Sequence, residues 1–145
     1  MSVKGLMTTL AETITRSTTV MEACRVMNSE KVGALAVVEE GKLYGIFTYR
    51  DLVDRVILEK RDPDTTKLED VMTTKVETLR ADGRYGDALR VMVDRDYTYV
   101  PILSEEDKLA GMLSLRRLLQ HKIDHLASEL DAVTQYLSVD GPGGD

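Results

Sequence analysis

The stretch Gly45-Ile46-Phe47-Thr48-Tyr49-Arg50-Asp51-Leu52 has a second copy in this chain. The copy lies 66 residues later, as Gly111-Met112-Leu113-Ser114-Leu115-Arg116-Arg117-Leu118. Upstream of these stretches the offset becomes 65, where Arg25-Val26-Met27 matches Arg90-Val91-Met92. Because the matches keep their order with a single inserted residue, the chain is a duplicated unit of about 65 residues.

Each copy predicts the same succession of elements. A short extended piece, Glu12–Thr15 or Val76–Leu79, precedes a helix with apolar residues at helical spacing. A run too apolar to alternate follows, Ala34–Val38 or Tyr99–Leu103, as expected for a strand that is buried on both faces. A polar turn, a second strand and a second helix complete the unit. The sequence therefore predicts an α/β (α+β) protein of two tandem β-α-β-β-α units.

The predicted boundaries follow from the repeat. Residues 1–66 form the first unit with its linker, 67–125 the second unit, 126–139 a helical extension and 140–145 a disordered tail. The linker within the first range is a polar cluster around Pro63, which is too short to separate independent domains.

Composition excludes several classes of function. With 19 Lys and Arg residues against 25 Asp and Glu residues, the net charge is −6, and no basic patch predicts binding to nucleic acid. No apolar run approaches the length of a membrane span or of a signal peptide core. Cys24 is the single cysteine and is predicted to be a small buried helix residue, which favours a reducing, cytoplasmic location.

The repeated stretch carries chemistry at the junction of a strand and a helix. Thr48 ends the predicted strand, and Asp51 lies in the first turn of the helix, where free N–H groups and the helix dipole attract phosphate. A carboxylate can accept hydrogen bonds from both ribose hydroxyls, and a Thr hydroxyl can donate to a phosphate oxygen. The same residue types also cap a helix and complement its dipole without any ligand. The residues by themselves leave both roles open.

The duplicated pattern resembles the CBS-domain pair, or Bateman module, of the stand-alone bacterial type. Asp70-Val71-Met72-Thr73 resembles the signature that opens a CBS unit, and Gly5–Thr8 is a looser copy. Val32–Val38 resembles the central strand of the family, and Gly45–Leu52 resembles its strand-to-helix ribose motif. The resemblance covers about residues 5–125 and implies two units packed as a pseudo-two-fold pair.

In CBS pairs the ribose motif of one unit faces the opening segment and central strand of the other. The resemblance therefore implies an intact site that combines residues of both units: Thr48, Asp51 and Lys31 with Tyr97, Thr98 and Tyr99. The other site is degenerate, because Arg117 stands where the motif has Asp, and Arg has no acceptor for ribose hydroxyl protons. That site would combine Ser114, Arg117 and Asp96 with Val32, Gly33 and Ala34. It is either empty, specialised for a more phosphorylated ligand, or structural.

The resemblance implies a non-catalytic regulatory module that binds an adenosyl ligand. AMP, ADP, ATP, NAD and S-adenosylmethionine all fit this class, and AMP is favoured. The protein itself requires no metal, although Mg²⁺ can accompany the phosphates of the ligand. With no effector domain recognisable in the sequence, we expect the module to act on a separate, unidentified effector protein. The alternative is a structural or dimerisation module whose ligand site is vestigial.

The last predicted helix outruns the repeat. Its apolar residues follow a 4-3-4-3-4 spacing that is typical of a coiled-coil seam: Leu119, Ile123, Leu126, Leu130, Val133 and Leu137. The seam predicts either a helix folded back on its own module or, as we favour, a homodimer. His121 and His125 lie four residues apart at outward positions, which favours a solvated helix face over a metal site.

Overall fold

The computed structural model describes residues 2–5, 7 and 14–140. After a 3-10 turn at Val3–Gly5, the elements of the first unit are α1 (Val20–Glu30), β1 (Ala34–Glu39), β2 (Lys42–Thr48) and α2 (Tyr49–Asp51), which continues as a π-helical segment (Leu52–Ile57). The second unit follows with α3 (Leu68–Val71), β3 (Leu79–Arg80), α4 (Tyr85–Asp94), β4 (Tyr99–Leu103), β5 (Leu109–Ser114) and α5 (Leu115–Asp140).

Both units are built on a hairpin with the same irregularity. β1 pairs antiparallel with β2, and the register shifts between Val37 and Val38. β4 pairs antiparallel with β5, and the register shifts between Ile102 and Leu103. Since the bulges occupy equivalent positions, the duplication extends to backbone detail. The predicted tandem α/β architecture is confirmed.

The strand that opens each unit is shorter than predicted. In the second unit only Leu79–Arg80 pairs with β4, and it does so in parallel, so most of the extended piece predicted at Val76–Leu79 is not a strand. In the first unit Ile14 forms a single parallel bridge to Val37. The preceding residues of that prediction, 12 and 13, lie outside the described residues.

The two hydrophobic cores exchange their opening segments. α3 opens the second repeat, yet Leu68, Val71 and Met72 lie in the core of the first unit. Val3 opens the first repeat and packs into the core of the second unit with Met92. A boundary at residue 66 therefore divides the sequence repeat, whereas each core draws on both sides of it. Burial of these apolar side chains ties the two units into one folding body.

The faces of the two hairpins pack against each other. Ala36 and Val38 of β1 form a buried cluster with Met112 of β5. The N–H of Leu109 donates to the carbonyl oxygen of Gly41 at 3.0 Å, so the two hairpin turns are also joined by a backbone hydrogen bond. This contact produces the pseudo-two-fold pair and leaves clefts beside it.

α5 is one continuous helix that leaves the module. Its first turns pack on the second unit, where Leu118 is fully buried. The apolar seam from Leu119 to Leu137 is exposed, with side chains between 41% and 66% accessible. The alternative of a helix folded back on its own module is therefore wrong for this chain. The helix ends at Asp140, and the predicted disordered tail otherwise lies outside the described residues.

His121 differs from the predicted solvated face. Its ring packs edge-on against the ring of Tyr85, with the centroids 4.9 Å apart. His125 lies 3.1 Å from the Glu129 carboxylate, one turn along the same helix. Within the part of the chain that the structure describes, no group of three or more His, Cys, Asp or Glu side chains is placed to hold a metal ion.

Candidate ligand-binding cleft

Thr48 and Asp51 form a reciprocal cap at the start of α2. The Asp51 N–H donates to the Thr48 hydroxyl oxygen at 3.2 Å, and the Thr48 N–H donates to Asp51 Oδ2 at 3.0 Å. The Thr48 hydroxyl also lies 3.2 Å from the same carboxylate oxygen. This is a capping box, which satisfies two backbone donors at the helix start. The helix-capping role of both residues is thus present in the fold.

The second oxygen of Asp51 reaches into the other repeat. Asp51 Oδ1 accepts a hydrogen bond from the Thr73 hydroxyl at 2.8 Å and lies 3.7 Å from the Arg55 guanidinium. Asp51 is 4% exposed and is the buried charged residue of the described core. Burial of a carboxylate is tolerated only where charge and hydrogen bonds compensate it, and these two partners supply that compensation.

Arg55 and Gly45 hold the opening segment of the second unit against the first. The Arg55 guanidinium donates to the carbonyl oxygen of Met72 at 2.8 Å. Ile46 and Thr73 exchange two backbone hydrogen bonds of 2.9 and 2.8 Å. A Cβ on Gly45 would lie 2.6 Å from the Thr73 carbonyl oxygen, so this close approach requires glycine. Because Arg55 lies in the π-helical segment, that widened turn belongs to the same junction.

A cavity of about 390 Å³ lies beside this junction, between the two units. The first unit contributes the end of β2 and the start of α2, and the second unit contributes its opening segment and the approach to β4. The lining residues are Ile46, Thr48, Arg50, Thr73, Lys75, Val76, Glu77, Asp96, Tyr97, Thr98 and Tyr99. Its volume lies within the range of small-molecule sites, roughly 300–1,000 Å³.

The charged residues of this cleft are partly paired. The Glu77 carboxylate accepts hydrogen bonds from Arg95 and from the Tyr97 hydroxyl, the latter at 3.1 Å. Hydrogen bonding with Tyr97, followed by the charge of Glu77, raises the pKa of Arg95. These contacts orient the Tyr97 ring along the wall. The lining also includes two cations, Arg50 and Lys75, which an anionic ligand can approach.

The structure brings most of the predicted intact site together. Thr48, Tyr97, Thr98 and Tyr99 all line the 390 Å³ cavity. Asp51 is not itself in the lining but lies directly behind it, bonded to two lining residues, Thr48 and Thr73. The Tyr99 hydroxyl accepts a hydrogen bond from the Gly33 N–H at 3.1 Å, so this ring is held by the first unit.

Asp96 lies in the cleft to which Lys31 was assigned, and Lys31 does not. Asp96 lines the cavity beside Thr48, whereas Lys31 is the exposed C-cap of α1 and lines neither of the two cavities described here. Both residues follow a helix with positive φ, 56° for Lys31 and 59° for Asp96, so they are equivalent in the repeat. The chain continues from each of these residues into the central strand of its own unit, so Lys31 lies beside Val32–Ala34.

The predicted degenerate site is only partly assembled. Ser114 and Gly33 line a second, larger cavity, whereas Ala34 is buried in β1 and Val32 packs against the first core. The Arg117 N–H donates to the Ser114 hydroxyl oxygen at 3.2 Å, which is half of the capping box found at Thr48. Arg117 is not in the lining of either cavity. The repeat counterparts of Thr73–Glu77 are residues 8–12, which lie outside the described residues.

Six lining residues of the first cleft were missed by the sequence prediction: Ile46, Arg50, Thr73, Lys75, Val76 and Glu77. The signal was present, because the ribose motif was expected to face an opening segment and Thr73 ends the motif Asp70–Thr73. The extended chain after Thr73 then follows the cavity wall to β3.

The larger cavity, of about 600 Å³, is named here the α5 groove. It is lined mainly by the first turns of α5 and the start of α2: Tyr49, Leu115, Arg116, Leu119, Gln120 and Ile123. It shares Thr48, Arg50, Thr98 and Tyr99 with the first cleft, so the two cavities lie on either side of a common wall. Across residues 2–5, 7 and 14–140, none of the helices has the length and apolar character of a membrane span.

The fold and the cleft define a class: a duplicated α/β unit whose two copies exchange opening segments and share an interfacial cavity. The CBS domain model matches this chain twice, over residues 3–58 and 68–124. The chain therefore belongs to the CBS domain family, as a tandem pair.

Similar proteins include relatives of different length. The CBS domain-containing protein YhcV of Bacillus subtilis is 32% identical over 124 residues, which cover 86% of this chain and 87% of YhcV. The uncharacterized protein MK0525 of Methanopyrus kandleri is 31% identical over 103 residues, which cover 70% of this chain but only 53% of that protein. Among solved structures, CBSX2 in complex with AMP has 25% identity and a TM-score of 0.71, covering 85% of this chain and 96% of CBSX2.

Proposed function

We propose that this protein is a regulatory module that binds an adenosyl ligand, with AMP favoured, in the cleft of about 390 Å³ between its two CBS units. The observation that carries the proposal is the composition of this cleft. It joins the strand-to-helix turn of one repeat, with Thr48, to the opening segment and the Tyr97–Tyr99 segment of the other. A ligand held there contacts both units and can report its presence through their relative packing.

The residues of the cleft suit the three parts of a nucleotide. Tyr97 and Tyr99 provide aromatic surface for a base, because flat rings stack favourably on one another. The Thr48 hydroxyl and the carboxylate of Asp51 supply hydrogen-bonding groups for ribose. Arg50 and Lys75 supply positive charge for phosphate. Two cations and a cavity of this size favour a nucleotide with few phosphates, which supports AMP, as does the AMP complex of the similar protein CBSX2.

The proposed role is binding without catalysis. None of the described residues that line the cleft is His or Cys. Of its two acidic residues, Glu77 is engaged by Arg95 and Tyr97, and Asp96 is the other. A sensor of this kind acts on a further protein or on its own assembly. We also propose a reducing, cytoplasmic location, since Cys24 is the single cysteine and no disulfide can hold this chain together. Partial burial raises the pKa of its thiol.

A structural module with a vestigial site is the second candidate. The observation that favours it is the saturation of Asp51, whose two oxygens are already engaged within the chain by Thr48, Thr73 and Arg55. Asp51 lies behind Thr48 and Thr73, so a ribose hydroxyl reaches Oδ1 by displacing the Thr73 hydroxyl. The cost of this exchange is small when one hydroxyl donor replaces another, since the net free energy of a hydrogen bond is about 1 kcal/mol.

Isothermal titration calorimetry with AMP on a matched pair of variants distinguishes the two candidates. Thr48→Val removes a capping hydroxyl that lines the proposed cleft, and Ser114→Ala removes its repeat counterpart, which caps α5 and lines only the α5 groove. Wild type and Ser114→Ala should bind one AMP per chain, and Thr48→Val should bind at least tenfold more weakly. If wild type does not bind AMP or the other adenosyl ligands, the structural module is correct. Equal losses in both variants would place the ligand elsewhere.

A further inference from the structure

The seam of α5 is an apolar stripe that no other described part of the chain covers. Leu126 is 49% exposed and Leu130 is 66% exposed, and the stripe continues in both directions along the helix. Toward the N-terminus it runs without a break into the α5 groove, whose lining includes Leu119 and Ile123. A helix and a groove that form one continuous apolar surface are suited to a second helix of matching period.

We propose that a second copy of this chain covers the seam, with its α5 running antiparallel to the first. The 3.5-residue period of the stripe is that of two helices wound about each other, and a copy of α5 carries the same period. A closed dimer with a two-fold axis buries the same surface on both chains and leaves none exposed for further association. The dimer requires only α5 and the groove, so it does not depend on nucleotide binding.

The charges beside the seam select the antiparallel orientation. Lys122 and Glu129 occupy the same heptad position, one heptad apart, on the same side of the stripe. When two such helices run antiparallel, this position on one helix faces the same position on the other. Lys122 then faces Glu129 of the partner subunit, and the two-fold axis repeats the pair. Flanking charge pairs of this kind set the orientation of coiled-coil partners.

A parallel arrangement lacks these pairs. In a parallel dimer Lys122 faces the residue five positions further along the partner helix. That residue is Ala127 of the partner subunit. The position of Glu129 faces threonine in the same way. The layers of Leu119, Ile123, Leu126 and Leu130 match in either orientation, so for them the charges distinguish the two. In the antiparallel register Val133 falls opposite Arg116 of the partner subunit. Opposite charges in contact and no like charges in contact favour the antiparallel dimer.

The antiparallel register also fills the α5 groove. Aligning Lys122 with Glu129 sets Ile123 against Leu126 of the partner subunit and Leu119 against Leu130 of the partner subunit. The partner helix then extends beyond Leu119 toward the first turn of α5, where Tyr49 and Leu115 form the wall of the groove. The side chains that line about 600 Å³ of open apolar volume in one chain thus acquire a partner.

Reversing the charges tests the orientation. Lys122→Glu and Glu129→Lys should each weaken dimerisation about tenfold by sedimentation velocity, since each turns two attractive charge pairs into repulsive ones. The double variant Lys122→Glu with Glu129→Lys should restore the wild-type dissociation constant. Asp131→Lys changes the charge as much at an outward position and should have no effect. A monomeric wild type, or single reversals that leave the dissociation constant unchanged, would overturn the proposal.

Disulfide mapping provides a second measurement that does not depend on charge. In a Cys24→Ala background, Leu119→Cys alone should not cross-link on oxidation, because its copies lie far apart in an antiparallel dimer. Leu119→Cys combined with Leu130→Cys should cross-link into covalent dimers. Efficient cross-linking of the single variant would establish a parallel dimer and contradict the proposal. Nucleotide binding is measured separately by calorimetry, so failure of the dimer and failure of the ligand site are distinguishable.

Discussion

Asp51 has two roles in this chain, one in each direction. Toward its own helix Asp51 completes a capping box with Thr48. Toward the second repeat it accepts a hydrogen bond from the Thr73 hydroxyl. The same carboxylate is the group that the proposed ligand contacts through its ribose. Since a ribose hydroxyl and Thr73 compete for Oδ1, ligand binding at this residue is coupled to the contact between the two repeats.

Truncating Asp51 should therefore affect stability and binding together. Asp51→Ala removes the capping acceptor and leaves Thr73 and Arg55 without their buried partner. We expect the free energy of unfolding in urea to fall by about 2–4 kcal/mol. AMP binding by calorimetry should be lost at a temperature where the variant is folded.

Thr73→Val is the matched control for that prediction. It removes the competing donor and keeps the carboxylate, so it should cost about 1 kcal/mol of stability. AMP should still bind, because Oδ1 is then open to the ribose. Full stability of Asp51→Ala would contradict the hydrogen-bond network described here, and unchanged AMP affinity in that variant would remove the carboxylate from the ligand site.

Residue types identified this junction from sequence but did not assign every partner. Thr48 and Asp51 were recognised because Gly45–Leu52 resembles the ribose motif of the CBS family, whereas their residue types alone would equally predict a helix cap. Lys31 does not line the cleft to which it was assigned, and its repeat counterpart Asp96 does. The repeat establishes which residues are equivalent, but not which copy faces which across the two-fold axis. The contact between the two hairpins, around Val38 and Met112, determines which copy faces which.

At the scale of elements, the junction between β2 and the opening segment of the second unit shapes the cleft. Ile46 and Thr73 exchange backbone hydrogen bonds, and Arg55 holds the chain at Met72. Thr73 and Lys75 then form one wall of the cavity. The position of this wall depends on how closely the segment approaches β2, and Gly45 is the residue that permits the approach.

Gly45→Ala should displace the segment and damage the cleft. The added Cβ would lie 2.6 Å from a backbone oxygen, which cannot rotate away as a side chain can. We expect a loss of about 1–3 kcal/mol in unfolding free energy and weaker AMP binding, measured by urea denaturation and calorimetry. Gly86→Ala is the control, because nothing lies within 4 Å of its added Cβ in α4. It should be neutral or stabilise by up to about 1 kcal/mol.

The sequence predicted the helices and strands better than it predicted the exchange of opening segments between the two cores. Period and turn chemistry predicted β1, β2 and α1, because local patterns decide a hairpin and a capped helix. The π-helical segment Leu52–Ile57 was not predicted. Within it Arg55 contacts Asp51 one turn away and Met72 in the second repeat, and no local pattern encodes the contact with Met72. The packing of α3 into the first core is likewise a long-range choice, since its few apolar residues would suit either unit.

At the scale of the whole molecule, two surfaces meet at one wall. The ligand cleft and the α5 groove share Thr48, Arg50, Thr98 and Tyr99, so a ligand on one side and a partner helix on the other contact the same residues. Any effect of the ligand on dimerisation must be matched by an equal effect of dimerisation on ligand affinity. The shared wall therefore links the proposed ligand site to the proposed dimer interface.

The central claim is that the nucleotide binds between the two units, and a crystal structure of the chain with saturating AMP tests it most directly. The account predicts one AMP per chain in the cleft of about 390 Å³, with its ribose against Thr48 and Asp51 and its phosphate toward Arg50 and Lys75. The Thr73 hydroxyl should no longer bond to Asp51 where the ribose has replaced it. An empty cleft at saturating AMP, or AMP bound in the α5 groove instead, would contradict the account.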